Sequence, residues 1–293
     1  MRLNREWTEF LYLRKSFPMK NSKAIIACLL LIASASFGQK LKGSKNVTTE
    51  QREVADFDNI EIEDNVELFL SAGDRNEIEI DADDNLHDAI SLTVSGGTLR
   101  IGATTEVSSF KKFSVKVTYT KLKMVIAKED TKVTALTDIK EDDFTFKIMG
   151  SAKIYCNIKA KNFTLMGNDK AKAELNVTAD NTVVELSKNS HFKALIATPK
   201  LKCDLYQKAV ADIEGDAIDL TLRLDNNSTF VGKNLTSKTA LVIAEGSSES
   251  SLNPTNSVVI EASGKSVIEL YGEQKIELRK FQDSAALRKK QLK

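Results

Sequence analysis

Charged residues that recur at a fixed spacing are the best candidates for chemistry in this sequence. Two sets repeat every nineteen residues: Glu185, Asp204 and Arg223, and Glu174, Lys193 and Asp212. A glycosidase needs two carboxyl groups that face one cleft at a set separation, and neighbouring strands would hold such groups about 5 Å apart. The other interpretation is a solvated sheet surface whose alternating charges keep the strands soluble. We favour this second interpretation and predict no catalytic residue and no enzymatic activity.

Histidines and clustered acidic residues give no stronger signal. His87 and His191 are scattered, and the pattern brings neither close to a Ser, Cys or Asp partner, so no catalytic triad is predicted. Asp81 and the run from Asp83 to Asn85 could bind calcium, but they lack the glycine and the distal glutamate of an EF-hand. Capping of a short helix explains these residues better. We predict neither a metal site nor a cofactor.

Cysteines and aromatic residues are also few. Beyond residue 38 the chain has two cysteines, four tyrosines and no tryptophan. Cys156 and Cys203 lie more than two repeats apart, at least about 10 Å, which is beyond disulfide reach. We therefore expect two buried thiols. Sugar-binding surfaces usually use exposed aromatic rings, and Tyr155, which the pattern turns outward, gives a weak sugar site at best.

The elements that would position these residues form a repeat of nineteen residues from Phe144 to Leu270. Residues at the same position of successive repeats form a column. The first apolar column is Phe146, Leu165, Val184, Cys203, Leu222, Leu241 and Ile260. The second is Ile148, Gly167, Leu186, Leu205, Leu224, Ile243 and Ala262. A column of small residues is Ala152, Ala171, Ser190, Ala209, Ser228, Ser247 and Ser266. A polar column is Ser151, Lys170, Asn189, Lys208, Asn227, Gly246 and Lys265.

Each nineteen-residue repeat has the pattern of a strand, a turn, a second strand and a second turn. Phe144, Phe146 and Ile148 point one way and the residues between them point the other way, which is the period of a strand with one buried face. One such unit cannot bury its apolar face, but stacked units bury it and pair their backbones. The sequence therefore predicts an all-β fold, a single-stranded parallel β-helix of seven coils. Glu249 breaks the pattern, and we predict one extra residue near Gly246.

The rest of the chain divides around these coils. Residues 54–121 alternate without the period, and we predict a β-rich unit with a short helical turn at 83–90 and a Gly96-Gly97 hairpin. This unit would cover the first coil, because an open stack of strands tends to aggregate. The coils would occupy residues 122–276, beginning with a weak coil at 122–140. Residues 39–53 would be a flexible lead-in, and the basic residues 277–293 a tail or a cap.

Residues 1–38 read as a leader. Lys20 and Lys23 precede an apolar run over residues 24–35, and Ser36-Phe37-Gly38 offers the small residues that signal peptidase reads, which makes Gln39 the expected mature start. The run is too short to span a bilayer. Met19 is a better initiator than the first methionine. We therefore expect export to the periplasm, the outer-membrane surface or the extracellular space.

Charge excludes one class of partner. Without residues 1–38, the chain has 36 basic and 39 acidic residues, a net charge of −3. Proteins that bind nucleic acid present a basic stripe, so we expect no nucleic-acid partner.

Several strand and turn segments carry a family resemblance. They are Phe57-Asp58-Asn59-Ile60-Glu61-Ile62, Val66-Glu67-Leu68-Phe69-Leu70, the Gly73 turn, Asp83-Asp84-Asn85-Leu86 and Gly97-Thr98-Leu99-Arg100-Ile101. They resemble the head GIN domain family, adhesin-like autotransporter proteins that bacteria secrete, and the later coils are similar to that family's repeat region. The resemblance covers residues 54–275. It implies an exported envelope or surface protein with a right-handed β-helix, and it carries over no catalytic residue.

These observations predict an exported, non-enzymatic protein of the cell envelope. It would present its β-helix surface to a protein or a glycan, as an adhesin or binding scaffold, without spanning the membrane. The alternative is a carbohydrate-active or carbohydrate-binding β-helix, and a third possibility is a purely structural envelope component. The sequence leaves the partner and the oligomeric state open.

Overall fold

Alternating buried and exposed side chains run through most of the described chain, which is residues 40–291 of a computed structural model. This alternation is that of strands with one buried face, and 68% of the described residues are strand against 2% helix. The strands wind into a solenoid of about nine turns spaced by about nineteen residues, which confirms the predicted β-helix. The predicted leader, the start at Met19 and the mature start at Gln39 lie outside the described residues.

The strands of the described chain fall into two groups. The first eleven are β1 (Leu41–Lys42), β2 (Val47–Arg52), β3 (Asn59–Ile62), β4 (Glu67–Ala72), β5 (Glu77–Asp83), β6 (Ile90–Ser95), β7 (Thr98–Ala103), β8 (Val107–Ser108), β9 (Phe113–Tyr119), β10 (Met124–Ala127) and β11 (Lys132–Ala135). A 3-10 helix, Asp84–Ala89, lies between β5 and β6. The others are β12 (Ile139–Ile148), β13 (Lys153–Gly167), β14 (Lys172–Leu186), β15 (His191–Leu205), β16 (Val210–Leu224), β17 (Thr229–Ala244), β18 (Glu249–Ala262), β19 (Val267–Tyr271), β20 (Lys275–Phe281) and β21 (Ala286–Lys290).

Each long strand bends once and so gives its coil two faces. In β14 the buried residues are odd-numbered up to Ala179 and even-numbered from Thr182 to Leu186. This change of parity marks the bend. We call residues 172–178 of β14, and their equivalents in other coils, the first face, and residues 182–186 with their equivalents the second face. Neighbouring coils pair in parallel, so that each outward residue lies beside its equivalent one coil later.

The other corner of each coil is a tight turn with one left-handed residue. Values of φ between 56° and 73° recur at Glu129, Gly150, Asp169, Lys188, Gln207, Asn226, Gly246 and Gly264. Their carbonyls accept backbone hydrogen bonds from the next coil, as when the N–H of Lys170 donates to Gly150 at 2.8 Å. A Cβ atom on Gly150 would lie 2.7 Å from the backbone of Glu129, so glycine suits this position. Glu129, which fits none of the predicted apolar columns, has this role.

The predicted core columns are confirmed over most of the solenoid. Leu165, Val184, Cys203 and Leu222 are opposite one another and fully buried. The prediction is wrong one coil later, where Leu222 is opposite Val242 instead of Leu241. The extra residue enters between Val231 and Leu235, where the register shifts, and not near Gly246. For the same reason the core positions assigned to Ile243 and Ser247 belong to Ala244 and Ser248, which are buried.

The N-terminal region contributes coils as well as a cover. Strands β3 and β4 form a coil on which β10 and β11 stack in parallel, while β7 and β9 stack in parallel on its other side. Residues 54–121, expected as a β-rich unit that covers the first coil, therefore supply the two lowest coils themselves. The coil that comes later in the chain, β7 and β9, lies outside the earlier one, β3 and β4. The predicted first coil, at 122–140, is the third in the stack. The nineteen-residue period is absent here because β5, the helix and β6 are inserted between these two coils.

The inserted elements close this end of the core, which we call the capped end. Strand β5 pairs antiparallel with β9 and with β2, and β6 pairs antiparallel with β7. Leu86, Ala89 and Ile90 are buried in the same core as the lowest coil. The helical turn and the Gly96-Gly97 hairpin are as predicted. Residues 47–52, in the segment expected as a flexible lead-in, form β2 because they pair with β5.

The C-terminal residues form one more coil. Strand β20 pairs in parallel with β18, and β21 pairs in parallel with β19. The expected tail or cap at 277–293 is therefore an additional coil as far as residue 290, because it repeats the backbone pairing of the coils before it. No strand of residues 40–291 pairs with its outer edge, and we call this the open end. No helix in the described range is long and apolar enough to cross a membrane.

Candidate functional site

The first face carries a shallow groove across five consecutive coils, from β11 to β16. The depression has a volume of about 530 Å3. Its outward side chains are Thr134, Tyr155, Asn157, Glu174, Asn176, Lys193, Leu195 and Glu214. We call it the Tyr155 groove. Ala173, Leu175 and Val177, which alternate with the outward residues of β14, are buried, so packing of the core fixes the floor of the groove.

Hydrogen-bonded amides line one side of this groove. Asn157 donates to a carboxylate oxygen of Asp138 at 3.2 Å, and Asn176 donates to the side-chain oxygen of Asn157 at 2.8 Å. Leu195 is next in the column. It interrupts the amides and is 56% exposed. An exposed leucine among polar neighbours gives the groove an apolar contact point in addition to the half-buried ring of Tyr155.

Glu174 and Lys193 line the groove as unpaired charges, and Asp212 continues their column beside it. The register places Glu174, Lys193 and Asp212 opposite one another on three successive strands, as the spacing predicted. None of the three takes part in an ion pair within residues 40–291. Their charges are therefore available to a ligand, whereas paired charges would already be neutralised.

A column of basic residues runs along the edge of the first face beside the groove. Lys132, Lys153, Lys172 and His191 begin the first faces of four successive coils and are exposed. Lys132 hydrogen-bonds to Glu67 at 2.8 Å, which raises the pKa of Lys132. Lys153 and Lys172 form no ion pair in the described chain. Like charges on neighbouring strands repel each other, so this lysine column favours an anionic ligand that lies along the solenoid axis.

The second predicted set, Glu185, Asp204 and Arg223, lies on the second face. These residues are also opposite one another. Asp204 pairs with Lys202 at 2.8 Å, and this hydrogen bond raises the pKa of Lys202. A glycosidase needs one carboxyl that can act as an acid and a second that can act as nucleophile or base. The register supplies two neighbouring carboxylates, but Lys202 already neutralises one of them.

The acidic run suggested for calcium has another role. Asp83 is fully buried, and its carboxylate accepts backbone hydrogen bonds from Lys45, Lys111 and Lys112 at 2.9–3.2 Å. Asp84 accepts from Ser44 and Asn46, and the side chain of Asn85 bonds Lys42 and Ser44. Asp83 makes no side-chain hydrogen bond to the helix, so helix capping is not its role.

We call Asp83, Asp84 and Asn85 the Asp83 clasp, since they fix two loops to the capped end. Burial raises the pKa of Asp83 most strongly, but the three N–H donors together outweigh burial, and the net pKa lies below its ordinary value. No group of three or more His, Cys, Asp or Glu in residues 40–291 has the arrangement of a metal site.

The remaining candidates are held apart. His87 lies in the 3-10 helix, where Nε2 is 2.8 Å from the Thr48 hydroxyl, and His191 is on the distant first face. Cys156 and Cys203 are free thiols, of which Cys203 is buried as expected and Cys156 only half-buried, and burial raises the pKa of both. Sequence reasoning missed Leu195 and the lysine column. Both could have been found in the nineteen-residue grid, since Leu195 follows Asn176, and His191 follows Lys172 and Lys153, in outward columns.

Comparisons with known proteins give the following matches. The model of the family described as "Putative auto-transporter adhesin, head GIN domain" matches residues 56–195 and 163–273. A "putative adhesin" from Parabacteroides distasonis has a TM-score of 0.64 and 18% identity, covering 85% of this chain and 100% of that one. A "putative adhesin" from Parabacteroides merdae has a TM-score of 0.56 and 22% identity, covering 86% and 99%.

A third solved structure broadens the range of descriptions. It is a "putative lipid binding protein" from Parabacteroides distasonis, with a TM-score of 0.55 and 15% identity, covering 87% of this chain and 100% of that one. At these identities the three structures show a shared solenoid fold. The comparison with curated proteins gives no match.

Proposed function

The chain belongs to the family described as "Putative auto-transporter adhesin, head GIN domain", and on that premise we propose that it is an exported, non-enzymatic binding scaffold of the cell envelope. Its ligand is an extended anionic chain, in the first place an acidic glycan, which lies along the first face. The lysine column beside the Tyr155 groove carries this proposal, because Lys153 and Lys172 are stacked without acidic partners.

The spacing of the solenoid suits such a ligand. Neighbouring coils repeat about every 4.8 Å, so Lys153 and Lys172 offer two unpaired cations one coil apart along the axis. The amides of Asn157 and Asn176 can hydrogen-bond hydroxyl groups, and Leu195 and Tyr155 can cover an apolar sugar face. Charge and stacking together would give affinity for a repeating polymer without a deep pocket.

Binding to a charged and an uncharged polymer tests the proposal. The purified protein should bind dextran sulfate, and should bind neutral dextran of equal length at least about ten-fold more weakly, because the lysine column supplies an electrostatic term that salt screens. The double variant Lys153→Glu with Lys172→Glu should lose most of this affinity. Lys238→Glu, an exposed lysine away from the column, is the matched control and should bind as the parent does. Equal binding of both polymers would contradict the proposal.

Export needs its own test. A fusion of residues 1–38 to a reporter protein should place the reporter outside the cytoplasm of a bacterial host, with cleavage before Gln39. A reporter retained in the cytoplasm would contradict an exported scaffold.

A carbohydrate-active enzyme is the second candidate, and the neighbouring carboxylates of Glu185 and Asp204 favour it. A screen of acidic and neutral polysaccharides for depolymerisation tests this role. Turnover that Glu185→Gln or Asp204→Asn abolishes would establish the enzyme in place of the passive scaffold.

A further inference from the structure

Within the large sheet of the described chain, which leaves out the separate β1–β8 pair, four strands pair on one side only. At the capped end, β2 pairs only with β5 and β6 pairs only with β7. At the open end, β20 pairs only with β18 and β21 only with β19. Strands β2 and β21 belong to the sheet of the first face, while β6 and β20 belong to the sheet of the second face. Each sheet therefore has one unpaired edge at each end of the solenoid.

The open end also leaves its apolar column uncovered. Ile276 and Leu278 are opposite the buried Val258 and Ile260, so they continue the core columns of the second face. They are 39% and 50% exposed, and Phe281 in the same strand is 39% exposed. Uncovered apolar side chains next to unpaired strand edges mark a surface for another set of strands.

Charge distinguishes between possible occupants. The last coil, residues 275–291, has six basic and two acidic residues, a net charge of +4. Residues 41–119, which build the capped end and its two coils, have eight basic and sixteen acidic residues, a net charge of −8. Contact between two open ends would bring like charges together, whereas an open end and a capped end attract each other.

We propose that the open end binds the capped end of a second copy of this chain, so that copies associate head to tail. Strand direction agrees with this arrangement. Since β2 and β9 are both antiparallel to β5, and β9 is parallel to the strands of the first face, β2 would extend the sheet of β21 in parallel. Strand β6 would extend the sheet of β20 in antiparallel. Such a contact is heterologous and forms open filaments unless the rotation between copies closes a ring.

Sedimentation velocity of the full chain, as its host processes it, tests this proposal. The protein should form dimers and longer assemblies as concentration rises, and salt at about 0.5 M should weaken them relative to about 0.05 M. The opposite salt dependence would overturn the proposal, because it would show that the basic residues keep open ends apart. A monomer at every concentration would overturn it as well.

Blocking one end at a time identifies the contact. The open-end variant Leu278→Asp with Phe281→Asp, and the capped-end variant Glu53→Lys with Asp88→Lys, should each associate at least about ten-fold more weakly alone. All four residues are exposed, so both variants should fold. An equimolar mixture of the two variants should give one-to-one dimers, because each variant keeps the end that the other has lost. Leu195→Asp, exposed in the middle of the solenoid, is the control and should assemble as the parent does.

Two further outcomes would overturn the head-to-tail contact. If the capped-end variant alone still dimerises, the contact joins two open ends. If the parent stays monomeric but binds vesicles of anionic lipid, and the open-end variant does not, the surface serves a membrane.

Discussion

The capped end and the open end of the solenoid expose equivalent core residues to very different extents. Ile101, in the lowest coil, is 1% exposed, whereas Phe281, which follows in the same column in the last coil, is 39% exposed. Leu99 is fully buried at the capped end, and Leu278 is 50% exposed at the open end. Both pairs belong to apolar columns, so the difference comes from what covers them and not from residue type.

A stack of repeated coils leaves the apolar core uncovered at its terminal coils, and the two ends of the solenoid differ in what covers it. At the capped end, the inserted strand β5, the 3-10 helix and β6 leave the repeat, reverse direction and cover the lowest coil. At the open end, Ile276 and Leu278 keep the apolar pattern as if another coil followed. A stack of similar coils is stabilised by contacts between neighbours, so its last coil has half of these contacts unless something else supplies them.

The largest expected difference between the ends is the response to loss of an aromatic ring. Phe113→Ala should reduce the free energy of unfolding by about 3–5 kcal/mol, since it leaves a cavity in a closed core. Phe281→Ala should reduce it by less than about 1 kcal/mol, because the ring is already partly hydrated. Urea unfolding followed by circular dichroism at a concentration where the chain is monomeric measures both.

The parent unfolded under the same conditions is the reference for this pair. Equal losses from the two substitutions would mean that the open end is covered in solution by part of the chain outside residues 40–291, and the comparison between the ends would fail.

Several features of the fold could be predicted from the sequence, and others could not. The columns through Leu165 and Val184 follow from alternation and a fixed period, because stacking in register demands both. The place of the extra residue could not be fixed, since Leu241 and Val242 are equally apolar and only the backbone pairing decides between them. The exchanged order of the two lowest coils depends on long-range pairing of β3 with β10, which no local pattern encodes.

The candidate site was only partly predictable for the same reason. The spacing placed Glu174 beside Lys193 correctly. The sequence predicts a helix cap at Asp83 because this residue directly precedes a helical turn, and this prediction is wrong. The actual donors to Asp83 lie 28 to 38 residues away along the chain, and sequence spacing gives no information about them.

The Asp83 clasp should distinguish the capped end by its pH dependence. Asp83→Asn should cost about 2 kcal/mol at pH 7, because three buried N–H donors lose a charged acceptor. The pKa of Asp83 in the folded chain is below its ordinary value of 3.8. The charged form therefore stabilises the fold above pH about 4, and this contribution is lost as the pH falls through the folded pKa. The stability gap between the parent and Asp83→Asn should shrink over this acidic range.

Urea midpoints of the parent and the variant between pH 7 and pH 3 measure that gap. Asp84→Asn is the matched control, because Asp84 is exposed and its carboxylate accepts hydrogen bonds from the side chains of Ser44 and Asn46. It should cost less than Asp83→Asn at pH 7. A gap for Asp83→Asn that stays constant with pH would show that the Asp83 carboxylate does not hold the capped end through its charge.

The smallest expected effect concerns a column of surface residues that begins with Asp143 in β12 and runs towards the open end. Asn162 donates to Asp143 at 2.7 Å and accepts from Asn181 at 2.9 Å, so it links three coils. Ser257 holds the equivalent position near the open end, and its hydroxyl makes no hydrogen bond to residues 40–291.

Asn162→Ala should cost about 1 kcal/mol, because two exposed hydrogen bonds are each worth about 0.5 kcal/mol, while Ser257→Ala should change stability by less than about 0.5 kcal/mol. Thermal unfolding of both variants beside the parent measures the difference. A larger cost for Ser257→Ala would mean that side-chain links also hold the coils together near the open end, and the contrast between the two ends would then rest on apolar burial alone.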